Sequence, residues 1–246
     1  MVRDAIWLAY KEIQFHRVPL LISIIVTFFY AGLTSFHLDQ SLVNVISKET
    51  ITDRYIIIDL LFIIITPSLA AIFMSKPYIS FSTIKEDPYS KRMAIYRSLP
   101  ISINTLALSR TIVMIFTLVL LSIAFYSILT FSLSDTIFTY YSISEYLIFI
   151  CIWLGYALAL GGSNTFIEYG TNGKFLHLFP YLLLTFLLLV FFLYYTFVEK
   201  GIVEQTILLS KNIGWPIAIF SLFIGMVGCI FWHTLLTKRL SKKDFM

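Results

Sequence analysis

Charged residues stand in clumps along this chain, and the stretches between the clumps are long and apolar. Five runs carry no charge: 21 residues between Arg17 and Asp39, 24 between Arg110 and Asp135, 22 between Glu145 and Glu168, 24 between Lys174 and Glu199, and 26 between Lys211 and Lys238. A sixth, Tyr55 to Ser75, is 21 residues long and is interrupted only by Asp59. About 20 mostly apolar residues suffice for a helix to cross a bilayer. A Lys, Arg or Asp at mid-bilayer costs roughly 2.5–3.5 kcal/mol. Each run therefore predicts a span, and each clump a connection. The predicted spans are about 18–36, 55–75, 111–133, 143–162, 175–197 and 214–236, in one transmembrane domain over residues 1–246. Six buried helices of a soluble protein would leave too little chain to cover them, so the predicted class is an all-α membrane protein with six spans.

Residues 1–17 precede the first span. Within 1–16, Val2, Ala5, Ile6, Ala9 and Ile13 fall on one helical face, and Arg3, Asp4, Lys11 and Gln14 on the opposite one. This predicts an amphipathic helix lying along the membrane surface. Trp7 sits on the polar side, one turn before Lys11. Two roles are open to it: an anchor in the headgroup layer, where Trp is enriched, or a contact for a cytoplasmic partner. In the second span, Pro67 within Thr66-Pro67-Ser68 removes a backbone hydrogen bond and predicts a kink that the flanking hydroxyls partly satisfy.

The connection 76–110 is too long for a turn and too charged to be buried. Six charges fall between Lys85 and Arg97: Lys85, Glu86, Asp87, Lys91, Arg92 and Arg97. Lys85-Glu86-Asp87-Pro88 reads as a helix boundary. Tyr89, Met93, Tyr96 and Leu99 then form a sparse apolar stripe at helical spacing, with Lys91, Arg92 and Arg97 elsewhere on the surface. Pro100 ends this helix, and Ser102 or Asn104 caps the next one.

Composition agrees with the pattern. Hydrophobic residues make up 59% of the chain and mean hydropathy is +0.86, against 45–50% apolar content in soluble domains. With the N-terminus inside, fourteen of the 18 basic residues fall on inner segments. These are Arg3, Lys11 and Arg17; Lys76, Lys85, Lys91, Arg92, Arg97 and Arg110; Lys174; and Lys238, Arg239, Lys242 and Lys243. Only Lys48, Arg54, Lys200 and Lys211 fall outside. The positive-inside rule thus predicts both termini in the cytoplasm. The net charge of +4 describes topology and implies no nucleic-acid partner. The first span is too long for the apolar core of a cleavable signal, and no small-x-small site follows it. Cys151 and Cys229 both fall inside spans and read as packing residues.

Catalytic patterns are missing from the sequence. The four histidines are isolated, and no HExxH motif occurs. Gly161-Gly162-Ser163-Asn164 is no GxSxG elbow. The stretch from Gly170 to Phe175 lacks the glycine spacing and the Ser/Thr of a phosphate-binding loop. The chain is therefore not expected to be an enzyme, nor to bind a metal or cofactor. Asp59, about one turn from the outer boundary, is the acidic residue within a run, and an intramembrane carboxylate is by default a functional candidate.

Taken together, the N-terminal amphipathic helix, six spans, inner termini, the Glu86-Asp87 pair, Leu99-Pro100-Ile101-Ser102 and Arg110 entering the third span resemble the type-2 permeases of ATP-binding-cassette (ABC) exporters. The resemblance covers the whole chain, but its specific part is short. It implies the type-2 exporter permease fold in a bacterial plasma membrane. It also implies a homodimer of permeases served by two copies of a separate ATPase subunit, which carries the ATP and Mg. The coupling helix that docks on the ATPase maps onto Lys85, Glu86, Asp87, Tyr89, Lys91, Arg92, Tyr96 and Arg97. Smaller contacts come from about 164–173, with Glu168, and from Trp7 and Lys11 on the elbow helix. Asp59, Thr66, Pro67 and Phe186 are candidate pathway residues between two permeases. Aromatic and hydroxyl groups with almost no charge suit an amphipathic or hydrophobic cargo. Antimicrobial and toxin peptides such as phenol-soluble modulins are favoured, with drug or lipid export as the alternative. A non-transporting scaffold or a lipid-modifying enzyme is the reading of another class.

Overall fold

Among the described residues the five uncharged runs fold mainly as helix, and shorter helices occupy much of 76–110, 134–142 and 201–213. The structure, a computed structural model, describes residues 1–47, 55–198 and 201–242. The outer cations Lys48, Arg54 and Lys200 and the tail residue Lys243 lie outside the described residues. In chain order the elements are α1 (Val2–Phe15), α2 (Arg17–Ser47), α3 (Tyr55–Ser68), α4 (Lys76–Ile79), α5 (Thr83–Glu86), α6 (Pro88–Ser98), α7 (Ile103–Ser132), α8 (Ser134–Tyr140), α9 (Ile143–Gly170), α10 (Gly173–Phe197), α11 (Ile202–Asn212) and α12 (Trp215–Lys242). Among the described residues five helices are long and apolar enough to cross a membrane: α2, α7, α9, α10 and α12.

The predicted span 55–75 differs. Its helix stops at Ser68, and 14 residues make only about 21 Å, short of a hydrocarbon core of about 30 Å. Pro67 ends the helix where a kink was expected. Proline has no N–H to give the Ile63 carbonyl, and Tyr156 Oη of α9 donates to that carbonyl instead, at 3.1 Å. Asn164 Nδ2 of α9 covers the Pro67 carbonyl at 3.1 Å. The expected helpers act elsewhere: Thr66 Oγ1 donates to Phe62 O and Ser68 Oγ to Ile64 O. Leu69 to Ile72 then continue as buried, non-helical backbone, a conformation tolerated at membrane depth only when protein surrounds it.

α9 and α12 make the closest helix pair. A Cβ on Gly155 would collide with the main chain of Ser221, one on Gly225 with Gly155, and one on Gly228 with Ala159. Small residues at four-residue spacing let the backbones touch. Hydrogen bonds from Ser221 Oγ to Ile152 O (2.8 Å) and from Trp232 Nε1 to Ala159 O (3.0 Å) lock the register. Around this pair, Phe62, Phe125, Phe149 and Trp153 form the aromatic centre of the core. α10 stands apart, burying only Gly173, Leu176 and Phe191.

The bundle has two distinct ends. At one, α11 and Tyr141, just after α8, meet the far ends of α2 and α3. There Leu38, Ile137, Tyr141, Phe149 and Ile207 line one small cavity, and Tyr141 Oη donates to Ile207 O. At the other end gather α1, α4 to α6, the α9–α10 turn and the last turns of α12. The contacts there include Arg239 Nε to Gly170 O at 3.1 Å and an apolar cluster of Tyr89, Met93, Leu106, Tyr169, Leu176 and Leu240. The two helical termini therefore share one end.

Candidate functional site

The terminus-bearing end is organised by a carboxylate on the apolar side of α1. α1 buries Ala5, Ala9 and Glu12 and packs on α7. Val2 and Ile6, on the predicted membrane-facing side, are exposed. The face turns because Glu12, one turn beyond Ala9, finds partners on three elements. It forms an ion pair with Arg110 of α7, which is only 3% exposed. It accepts from Arg92 Nη1 of α6 at 3.1 Å and from Tyr169 Oη of α9 at 2.7 Å. The Arg110 guanidinium lies over the Tyr169 ring, 4.2 Å from its centroid, and also over Tyr96. A buried charge is tolerable only when paired; here the Arg110 guanidinium is paired with Glu12, whose carboxylate also accepts the bonds from Arg92 and Tyr169.

His16 completes the arrangement. Burial, and secondarily the Arg92 charge, lower its pKa to about 4. The ring is then neutral at pH 7. Since arginine only donates, His16 Nε2 accepts from Arg92 at 3.2 Å. On the other side Tyr78 Oη, just after the break in α3, donates to Glu168 Oε1 at 2.6 Å. Burial raises the Tyr78 and Tyr89 phenols well above their ordinary value, so both stay protonated. Glu12, Arg110, Glu168, Asn164 and Ser75 border a cavity of about 30 Å³. That holds one or two waters and no cargo.

α6 is held in this frame as its sequence suggested. Asp87, at φ 41°, caps it by accepting from Ser90 N, and Ser102 caps α7 by accepting from Thr105 N. Tyr89 and Met93 are buried, and Tyr96 is half-buried. Leu99, expected in the stripe, is 47% exposed. Arg92, expected on the surface, turns inward to Glu12 and His16, with Phe15 under its guanidinium. The outward stripe of α6 is Lys91, Ile95 and Ser98. Lys85, Glu86 and Arg97 are also exposed. Glu168 is partly buried and faces Tyr78 rather than open solvent. Trp7 is 58% exposed, with the Lys11 ammonium 5.8 Å from its ring centroid, an arrangement that fits either role proposed for it.

The pathway candidates do not come together. Asp59, predicted about one turn from the outer boundary, is fully buried. Its carboxylate accepts from the Ile202 and Val203 amides at 2.6 and 2.7 Å and from the Tyr195 hydroxyl. It thus holds the first turn of α11 and ties α3 to α10. Thr66 and Pro67 are buried in the bundle, and Phe186 is 62% exposed on the open face of α10. Among the described residues no group of His, Cys, Asp and Glu is placed to hold a metal.

Sequence reading missed Glu12, Tyr169, Tyr78 and His16. Glu12 had one visible signal, since it lies at Ala5 + 7 and Ala9 + 3, on the packing side of an amphipathic helix. The set joins α1, the charged connection, α7 and α9 through Glu12 and its partners Arg92, Arg110 and Tyr169. No family model, curated protein or solved structure matches the chain.

Proposed function

We propose that the chain is the membrane permease subunit of an ATP-driven exporter of the type-2 ABC kind. It crosses a bacterial plasma membrane six times, with α3 and the buried stretch after it as the second crossing and both termini in the cytoplasm. Two copies pair, and each binds a separate ATPase subunit through α6. The cargo is amphipathic or hydrophobic, with peptides favoured over drugs or lipids. The observation that carries this reading is the short helix α6, anchored inward by Tyr89, Met93 and Arg92, while Lys91, Ile95 and Ser98 face away from the bundle. An exposed isoleucine (64%) beside a lysine, on an element rigidly tied to two other helices, suits docking and the transmission of force. A scaffold has no need of that linkage. Exposed basic residues on the same end fit the positive-inside rule.

The test separates the two faces of α6. In membranes of the native host, a tagged wild-type chain is expected to bring down an ABC ATPase subunit. Lys91→Glu with Ile95→Asp should cut that yield about tenfold or more while leaving chain abundance and thermal stability unchanged. Undiminished ATPase recovery with the double variant would remove α6 as the docking element.

A further inference from the structure

We infer that the groove between α2 and α3 is a binding site for one anionic phospholipid, its acyl chain along α3 and its phosphate beside Arg17 and Lys76. The groove, about 460 Å³, is lined by Tyr30 of α2 and by a helical stripe of α3 that includes Ile57, Leu61 and Ile64, then by Leu69 and Phe73 beyond the Pro67 break. From Ile57 to Leu69 it runs about 18 Å, roughly the hydrocarbon depth of one leaflet, half of about 30 Å. A small-molecule site has this size and is mostly apolar.

Charge complementarity at one end names the occupant. Phe73 closes the groove beside Met74, whose N–H donates to Ser23 Oγ of α2 at 3.2 Å. From that contact Lys76 is two residues along the chain, and Arg17 is about 9 Å down α2. Both cations are exposed, and among the described residues neither has an ion-pair partner. Basic residues at the mouth of an apolar crevice between helices recognise lipid phosphate. The inference needs the chain to sit in a bilayer and does not depend on transport, so it can fail while the exporter reading stands.

The test uses the full chain, stripped of lipid in detergent and offered dioleoyl phosphatidylglycerol or dioleoyl phosphatidylcholine, with bound lipid counted by native mass spectrometry. The expected result is one phosphatidylglycerol per chain, held on the order of tenfold more tightly than phosphatidylcholine. Arg17→Gln with Lys76→Gln should abolish the preference. Ile64→Trp, at a 38% exposed position, should block both lipids. Should that tryptophan variant fail to fold, the charge pair alone decides. Equal retention of the two lipids, or a preference that survives removal of both charges, overturns the assignment. So does a lipid-free dimer that Ile64→Trp dissociates, because a second copy would then be the occupant.

Discussion

Replacing Glu12 with alanine is expected to destabilise the chain by about 3–5 kcal/mol, the cost of leaving a buried arginine without its counter-charge. The size follows from the burial of Arg110, 3% exposed, with Glu12 as its carboxylate partner. Arg92 would suffer less, because it is partly exposed and keeps His16 and the Phe15 ring. The attribution is checked by a double-mutant cycle. Arg110→Met alone should cost a comparable amount, since it strands Glu12 with Arg92 and Tyr169 only. Glu12→Leu combined with Arg110→Met should recover most of the loss, because an apolar pair of similar volume replaces a desolvated ion pair at little cost. Unfolding of purified variants in a fixed detergent reads both quantities. Additive losses would mean that the two residues act separately.

Asp59→Ala carries the second large effect, about 2–4 kcal/mol. The alanine leaves two backbone N–H groups of α11 and the Tyr195 hydroxyl without their acceptor, and the Val203 amide is fully buried. It also removes a helix cap. Asp59→Asn keeps one acceptor oxygen and should cost about half as much. If Asp59 instead served cargo, Asn would reduce export at unchanged stability. Measuring stability and surface abundance of both variants separates the two roles. The geometry favours the cap: the backbone donors at 2.6 and 2.7 Å occupy both carboxylate oxygens.

These two carboxylates mark where sequence reasoning stops. The long helices were legible because a charge in hydrocarbon is expensive, so the charge-free runs delimit α2, α7, α9, α10 and α12. The course of α6 was legible too, since Asp87-Pro88 and Leu99-Pro100-Ile101-Ser102 carry local boundary chemistry. Asp59 could not be read in this way: its partners are main-chain amides 143 and 144 residues away, and amides have no side-chain signature. α11 lies in the connection between the predicted spans 175–197 and 214–236, although Val203, Ile207 and Ser210 repeat at helical spacing and are buried. The end of α3 at Ser68 was not legible, because hydropathy counts apolar residues and is blind to backbone satisfaction. Leu69 to Ile72 are as apolar as a helix needs, but α9 supplies Tyr156 and Asn164 as donors to the carbonyls at the broken end. At Glu12 and Arg110, each charge taken alone reads as a boundary residue, and only the packing of α1 on α7 makes them a pair.

The central claim is that α6 presents its outer face to an ATPase. A single cysteine at Lys91, with Cys151 and Cys229 replaced by serine, puts a thiol on that face, since Lys91 is exposed. Treating native membranes with a short bifunctional thiol–amine cross-linker and identifying the adduct by mass spectrometry tests the claim directly. The account predicts an adduct with an ATP-binding-cassette subunit from the cysteine at Lys91, and none from a control cysteine at Ile213, which lies on the opposite end of the bundle. Cross-linking to lipid amines alone from Lys91, with no ATPase adduct, would contradict it.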